Sequence, residues 1–249
     1  MLQVCLNGAR DRSECEWLPV TPQQLGDAAA EAVSLGARSI HVHPKDEKGA
    51  DTMAAVSVDA AVAAVRASAP GVPIGVTTGE WTEPDPERRA ALVRSWSVLP
   101  DHASVNWHEE GAEVVADALL SVGIGVEAGV YSGTDAAVRL RGWPGVGRVV
   151  RVLGEVVERD PERAVGVAEA LLRELAGLDG LDRVGRGVLL LHGEEGGAWP
   201  VLRVAAGRGL DVRIGVEDTL VLPDGRVAGG NGALVRAALE EVAGAGAGR

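Results

Sequence analysis

The sequence contains no phenylalanine, one tyrosine and two cysteines, and acidic residues outnumber basic ones to give a formal net charge of −12. That charge argues against binding nucleic acid or an anionic membrane through bulk charge, although a local basic patch for phosphate stays open. Cys5 and Cys15 form no repeated spacing, so we expect neither a disulfide framework nor a cysteine metal knuckle, as suits a reducing cytoplasm. No basic N-terminal region precedes an apolar stretch, and no apolar run approaches membrane-spanning length. We therefore expect a soluble cytoplasmic protein.

Short apolar runs alternate with helical patterns eight times along the 249 residues. Thr21-Pro22 has the pattern of a helix N-cap followed by proline at the first helical position, and Gly36 is placed to end that helix. The apolar runs are mostly continuous, which is typical of a parallel sheet covered on both faces. The predicted strands are 2–6, 38–43, 72–77, 103–107, 124–128, 146–153, 187–191 and 211–216.

Eight strand–helix units in about 250 residues match the size of a (β/α)₈ barrel, so we predict one barrel domain over residues 1–249. A doubly wound open sheet is the rival fold. That fold usually carries a glycine-rich loop after its first strand, and Asn7-Gly8-Ala9-Arg10 does not have the G-x-G-x-x-G pattern. The last helix is predicted over 232–242, and the Gly/Ala-rich residues 243–249 are expected to form a disordered tail.

Two histidines one residue apart, His41 and His43, end the second apolar run. On a strand their imidazoles point to the same side, and imidazole is the commonest metal ligand in proteins. Glu217 ends the eighth run, and a closed barrel separates strands two and eight by strand one alone. Two imidazoles and one carboxylate would leave positions open, as in catalytic zinc sites, and non-haem iron uses the same ligands. The alternative is a pair of hydrogen-bonded core histidines.

Arg213 lies on the same strand face as Glu217, so its guanidinium would enter the same cavity. A buried guanidinium needs an anionic partner, which Asp218 or a substrate carboxylate could provide. The alternative is a structural ion pair at the barrel mouth. Because barrel active sites lie at the carboxyl ends of the strands, further polar residues there are predicted to surround a substrate. They are Asn7, Arg10, Thr77, Thr78, Asn106, His108 and Glu127, with Glu155, His192 and Glu194 left undecided.

Several stretches together resemble one protein family, the β-keto acid cleavage enzymes, also called 3-keto-5-aminohexanoate cleavage proteins. The matching stretches occur in family order over almost the whole chain: LPVTP at 18–22, HVHPKD at 41–46, TTG at 77–79, Glu127, RIGVEDTL at 213–220 and Asn231. The resemblance implies a (β/α)₈ barrel that assembles as a homotetramer and uses zinc or another divalent metal.

The resemblance also implies an activity and roles for residues. A β-keto acid and acetyl-CoA would react to give acetoacetate and a new CoA ester. His41, His43 and Glu217 would be metal ligands, Arg213 with Asp218 a catalytic pair, and Thr77 a substrate contact. Asp218 would take a proton from the carbon next to the ketone, and the enolate would attack the thioester. Internal acyl transfer and retro-Claisen cleavage would follow.

One position departs from the family pattern. Many members carry a glutamate after Asn-Gly-Ala that recognises a substrate amino group, whereas this chain has Arg10. A cation there would favour an anionic substrate or bind a CoA phosphate; the alternative is a solvent-facing loop residue. Two other functions stay open. One is a metal-dependent aldolase or hydrolase that uses no CoA, and the other is a catalytically silent homologue that binds a metabolite.

Overall fold

A computed structural model describes residues 1–176 and 189–246. Along these residues short parallel strands alternate with α-helices. The strands are β1 Leu2–Cys5, β2 Ser39–Val42, β3 Ile74–Thr77, β4 His102–Asn106, β5 Gly125–Tyr131, β6 Val149–Val156, β7 Leu189–Gly193 and β8 Asp211–Gly215. The helices are α1 Pro22–Leu35, α2 Ala55–Ser68, α3 Pro86–Ser95, α4 Ala112–Ser121, α5 Ala136–Gly142, α6 Pro161–Ala176, α7 Ala198–Arg208 and α8 Asn231–Gly246.

The strands pair in chain order and close into a barrel, because β8 pairs with β1. Cys5 on β1 lies opposite His41 on β2 and opposite Gly215 on β8. The predicted single (β/α)₈ barrel is therefore confirmed. Closure places the ends of β8, β1 and β2 side by side, although they are far apart in sequence. The apolar core fills the space between the strands and the surrounding helices.

Local signals account for how individual helices begin and end. Thr21 caps α1 with a complete capping box, in which Thr21 and Gln24 satisfy each other's backbone N–H groups. Gly36 ends that helix with a φ of 125°, a value that a residue with a side chain rarely adopts. Asp85 caps α3 by accepting from two backbone N–H groups of the first turn.

Some predicted strand limits were wrong. β2 ends at Val42, so His43 lies one residue beyond the strand. β5 continues to Tyr131, which places Glu127 inside the strand rather than at its end, and Glu155 likewise lies inside β6. Residues 146–148 form a 3₁₀ turn instead of the start of β6. For β5 and β6 the physical reason is that a barrel interior accepts a charged side chain when it is paired, so a polar residue does not mark the strand end.

The last helix is longer than predicted. It runs to Gly246, because Leu239, Val242 and Ala245 pack against the core and extend its apolar face. Residues 243–246 of the expected tail are thus helical, and 247–249 lie outside the described residues. The first two residues of the predicted seventh strand, 187 and 188, also lie outside them. Among the described helices none is long and apolar enough to cross a membrane.

Candidate metal centre

Four side chains with metal-binding atoms meet at the barrel mouth: Cys5, His41, His43 and Glu217. Their candidate ligand atoms all lie within 4.8 Å of one another. Three of the four residues are buried, and the Glu217 side chain is about one quarter exposed. β1 lies between β8 and β2, so barrel closure brings the groups together. The structure thus gathers the three predicted ligands and adds Cys5.

The donor atoms fit a divalent metal. Nε2 of His43 lies 3.5 Å from Oε2 of Glu217, close to the roughly 3.3–3.8 Å between ligands of a tetrahedral zinc ion with bonds of 2.0–2.3 Å. Nδ1 of His41 is buried and has no hydrogen-bond partner. Gly8 has a φ of 63°, and a Cβ there would overlap the side chain of Glu217. Gly8 therefore leaves the space in which Glu217 approaches the histidines.

Asp51 orients the imidazole of His43. Its Oδ2 lies 2.9 Å from Nδ1 of His43 and accepts from Nε1 of Trp81 at 2.8 Å, while its Oδ1 lies 2.5 Å from Nζ of Lys45. The Trp81 ring stacks on His43 with centroids 5.9 Å apart. With Nδ1 held by Asp51, Nε2 is left facing Glu217. A carboxylate behind a histidine in this way is the usual arrangement that orients a metal ligand.

The two histidines differ in electrostatic environment. Burial lowers the pKa of His41 to about 3, so its imidazole is neutral at pH 7 and free to bind a metal. Burial opposes the charged form of His43 as well, but Glu217 and Asp51 outweigh it and raise the pKa of His43 to about 9. Burial also disfavours ionised Glu217, yet Arg213 and His43 hold the pKa of that carboxyl well below its usual range. Glu217 is therefore ionised at neutral pH, as a carboxylate ligand would need to be.

Arg213 and Asp218 form a buried pair beside the cluster. Nε of Arg213 donates to Oδ1 of Asp218 at 3.1 Å, and its Nη2 lies 2.8 Å from Oε1 of Glu217. Nδ1 of His192 lies 2.9 Å from the same Asp218 oxygen, and Nε2 lies 3.4 Å from Glu155. Burial and Arg213 disfavour charged His192, but Asp218 and Glu155 raise its pKa to about 9. Asp218 thus lies between two cations, and its Oδ2 has no hydrogen-bond partner.

Two asparagines hold the backbone beside the cluster. Asn7 accepts from N–H of His43 at 2.9 Å and donates to its carbonyl at 2.8 Å. Asn231 accepts from N–H of Val216 at 3.1 Å and donates to the carbonyl of Leu6 at 2.8 Å. Asn7, predicted to bind substrate, is fully buried and does not line the cavity described next. Both amides hold backbone next to the cluster, and substrate binding by Asn7 stays a prediction.

A cavity of about 350 Å³ opens above the cluster. Arg10, His43 and Glu217 are the predicted site residues that line it, together with Ala9, Glu14, Trp81, Tyr131, Arg159, Glu194 and Glu195. Arg10 is not solvent-facing: its Nε donates to the carbonyl of Val216 at 2.6 Å, and its guanidinium pairs with Glu14 and Glu195. Its charge is therefore already matched by two carboxylates.

Glu127 lies apart from this cavity. It is fully buried, with Oε2 accepting from Nε2 of Gln3 at 3.2 Å and lying 2.7 Å from Nε of Arg151. Burial disfavours its charged form, but Arg151 and His102 outweigh burial and lower the pKa of Glu127 to about 2. These contacts describe an ion pair inside the barrel.

The remaining predicted substrate residues lie around the ends of β3 and β4. Thr78 is buried and donates to the carbonyl of Ser104 at 2.6 Å, and Oγ1 of Thr77 accepts from N–H of Gly79 at 3.3 Å. Asn106 donates to Glu109 at 2.7 Å. His108 packs on Tyr131, which lines the cavity, with ring centroids 4.3 Å apart. None of these four residues lines the cavity itself, and their binding roles stay predictions.

Sequence reasoning missed Cys5, Asp51 and Trp81. Cys5 is the last residue of β1 and neighbours the second strand, so a closed barrel could have pointed to it. Asp51 and Trp81 lie in loops, where no periodicity shows which way a side chain points. Their contacts with His43 depend on how the loops after β2 and β3 meet.

A family model described as beta-keto acid cleavage enzyme matches residues 1–135 and 162–248. The chain belongs to the β-keto acid cleavage enzyme family. Family membership supports an enzymatic function and β-keto acid cleavage as the general type of reaction. The unmatched segment, 136–161, contains α5 and the whole of β6. No curated protein matches the chain by sequence.

Solved structures share the barrel. The apo structure of ObcA is similar with a TM-score of 0.71 and 18% identity, covering 92% of this chain and 62% of that one. The ternary complex of ObcA with C4-CoA adduct and oxalate is similar with a TM-score of 0.70 and 19% identity, covering 92% of this chain and 64% of that one. Type I 3-dehydroquinate dehydratase from Clostridium difficile is similar with a TM-score of 0.63 and 11% identity, covering 98% of this chain and 90% of that one. This chain therefore spans less than two thirds of the length of ObcA. At sequence identities this low, the likeness to these structures shows the fold alone.

Proposed function

We propose that this protein is a metal-dependent β-keto acid cleavage enzyme that condenses a β-keto acid with acetyl-CoA to give acetoacetate and a new acyl-CoA. The observation that carries the proposal is the convergence of His41, His43 and Glu217 beside the buried pair of Arg213 and Asp218. Family membership supports the reaction class. The metal we propose is zinc, because imidazole and carboxylate ligands suit it.

The ligands would hold the metal at the floor of the cavity, next to bound substrate. A bound divalent metal supplies Lewis-acid polarisation of the keto and carboxylate oxygens. Arg213 lies against Glu217 and keeps that carboxylate ionised and in place. Asp51 keeps Nε2 of His43 directed at the same point. The protein thus offers preformed, oriented ligands rather than a flexible loop.

Asp218 is the proposed base. Its unpartnered Oδ2 takes the proton from the carbon between the ketone and the carboxylate, while Arg213 and His192 hold Oδ1. That carbon then attacks the carbonyl of acetyl-CoA, and the CoA sulfur leaves. The CoA sulfur then attacks the carbon of the original ketone, and the bond between that carbon and the carbon that attacked acetyl-CoA breaks. The new acyl-CoA separates, and acetoacetate forms when Asp218 returns its proton to the carbon left behind. The atoms balance as β-keto acid plus acetyl-CoA to acetoacetate plus acyl-CoA.

The cavity fits a small acid. Its volume of about 350 Å³ is near the lower end for small-molecule sites, so most of CoA would lie outside it. We propose that Arg10 meets an anionic group of the substrate or a CoA phosphate. Because Glu14 and Glu195 already contact Arg10, the incoming anion has to compete with them. The carboxylates at the rim therefore set how strongly Arg10 attracts substrate.

The test combines metal analysis with a substrate panel. Zinc-loaded protein is incubated with acetyl-CoA and β-keto acids of differing chain and charge, and acetoacetate is measured. We expect turnover with at least one acid, and none in a His41→Ala/His43→Ala variant that no longer retains metal. Exposed Asp224→Asn serves as a control and should remain active.

Other results would point to the rival functions. Turnover without acetyl-CoA would indicate an aldolase or hydrolase. Zinc retention with inactivity across the panel and unchanged ligand binding in Glu217→Ala would indicate a catalytically silent binding protein. The homotetramer and the cytoplasmic location implied by the sequence stay predictions, and light scattering on the purified protein measures the first.

A further inference from the structure

We propose that Cys5 is a fourth protein ligand of the metal, so that the substrate-free centre is a four-coordinate Cys/His/His/Glu site. The inference rests on the proposed metal centre and extends it, because the three predicted ligands include no sulfur. Its consequence is that substrate can reach the metal only if the coordination expands or the Cys5 bond breaks.

The barrel places Cys5 within the ligand cluster. Cys5 ends β1, opposite His41 on one side and Gly215 on the other. Its thiol is fully buried, forms no disulfide and donates to Oε2 of Glu217, the oxygen that also lies 3.5 Å from Nε2 of His43. A Cβ at Gly215 would overlap the backbone of Cys5, so β1 can lie this close to β8 only because of that glycine.

The surroundings of the sulfur distinguish a ligand from a core cysteine. A buried structural cysteine packs as a small apolar residue. Here the sulfur belongs to a group of two imidazoles and a carboxylate whose ligand atoms lie within 4.8 Å of one another. His41 contributes a second, independent sign, because its buried Nδ1 has no hydrogen-bond partner. A buried group of metal-binding atoms of this kind supports a cation site that includes the sulfur.

Thiolate coordination would change what the site binds and how it opens. As the sulfur–metal bond forms, the S–H bond breaks and its proton leaves to solvent. A soft thiolate favours zinc or cobalt over magnesium or manganese. Four protein ligands close a tetrahedral site, whereas catalytic zinc keeps a position open or expands to five-coordinate. Substrate chelation would therefore lengthen or break the bond to Cys5.

Cobalt provides the test because its spectrum reports sulfur directly. Apo-protein is titrated with Co²⁺, and the thiolate-to-cobalt charge-transfer band in the near ultraviolet is recorded for wild type, Cys5→Ser and Cys15→Ser. Cys15 is the matched control, since it is also a buried free thiol but lies outside the cluster. We expect the band in wild type and Cys15→Ser and its loss in Cys5→Ser. X-ray absorption of the zinc form should show a sulfur at about 2.3 Å.

The outcomes separate this inference from the proposed function. Cys5→Ser should still bind cobalt through the other ligands, roughly tenfold or more weakly, since even the loss of an outer partner costs that much. Cobalt bound by wild type without the sulfur band would overturn the role of Cys5 and leave the three-ligand centre standing. Absence of binding by folded wild type would overturn both. Addition of a β-keto acid should weaken the band, and an unchanged band would contradict the opening step.

Discussion

The buried pair of Glu127 and Arg151 allows a quantitative prediction. Glu127 is fully buried, and the pKa of its carboxyl is about 2, compared with 4.5 for an ordinary glutamate. That difference corresponds to about 3 kcal/mol of folding free energy. Because the folded-state pKa is depressed, this stabilisation is fully present above pH 4.5 and disappears as the pH falls towards 2. Glu127→Gln keeps the shape of the side chain and removes its charge.

The assay is urea unfolding of wild type and Glu127→Gln at several pH values between 7 and 2. At pH 7 we expect the variant to unfold with about 3 kcal/mol less free energy, or somewhat more, because Arg151 is left buried without its partner. The difference should shrink below pH 4.5. Glu169→Gln is the control: its ion pair with Arg208 is solvent-exposed, so we expect little change.

Two results would refute the reasoning. Equal stability of Glu127→Gln and wild type at pH 7 would mean that the pair does not stabilise the barrel. A difference that stays constant down to pH 2 would mean that it does not arise from the charge. A stable variant with a raised KM for the β-keto acid would instead support the substrate-binding role predicted for Glu127.

Three further predictions concern residues around the metal centre. Asp51→Asn should weaken metal binding about 10- to 100-fold in competition with a chromophoric chelator, because His43 loses its orienting carboxylate; unaltered affinity would contradict this. Asn231→Ala should lower the free energy of unfolding by about 2 kcal/mol or more, since the buried backbone groups of Val216 and Leu6 lose their partners. An unshifted urea midpoint would argue against stabilisation by these two hydrogen bonds. Asp218→Asn should abolish turnover while metal analysis shows full occupancy; retained turnover would exclude Asp218 as the base.

The fold could be predicted because the local signals in the sequence agree with the overall strand–helix order. Continuous apolar runs specify strands buried on both faces, and caps such as Thr21 and Asp85 mark helix starts. Strand ends inside the barrel were less predictable. The sequence predicts Glu127 near the end of β5, whereas its charge is paired within the barrel by Arg151, on the neighbouring strand. No pattern within β5 itself shows that partner.

The candidate site divides in the same way. The convergence of His41, His43 and Glu217 could be predicted, because their residue types and strand-end positions suit a metal and barrel closure joins them; their role as ligands stays a prediction. The residues that hold them could not. Asn7 is predicted to bind substrate, which stays a prediction, whereas the contact of its amide with the backbone of His43 has no signal in the sequence. Such contacts depend on the precise path of two loops, which residue type alone does not report.

The position of the proposed metal centre implies that a bound ion would hold the barrel closed. Cys5 and Glu217 belong to the segments that join β1 to β8, a contact between residues more than 200 positions apart. A ligand that binds only the folded state adds about 4 kcal/mol of stability at a free concentration 1,000 times its Kd. In hydrogen exchange, zinc should slow the amides of β1 and β8 more than those of β4 and β5. It should slow neither pair in the His41→Ala/His43→Ala variant. Equal slowing of both strand pairs in wild type would mean that β1 and β8 do not separate before the barrel unfolds.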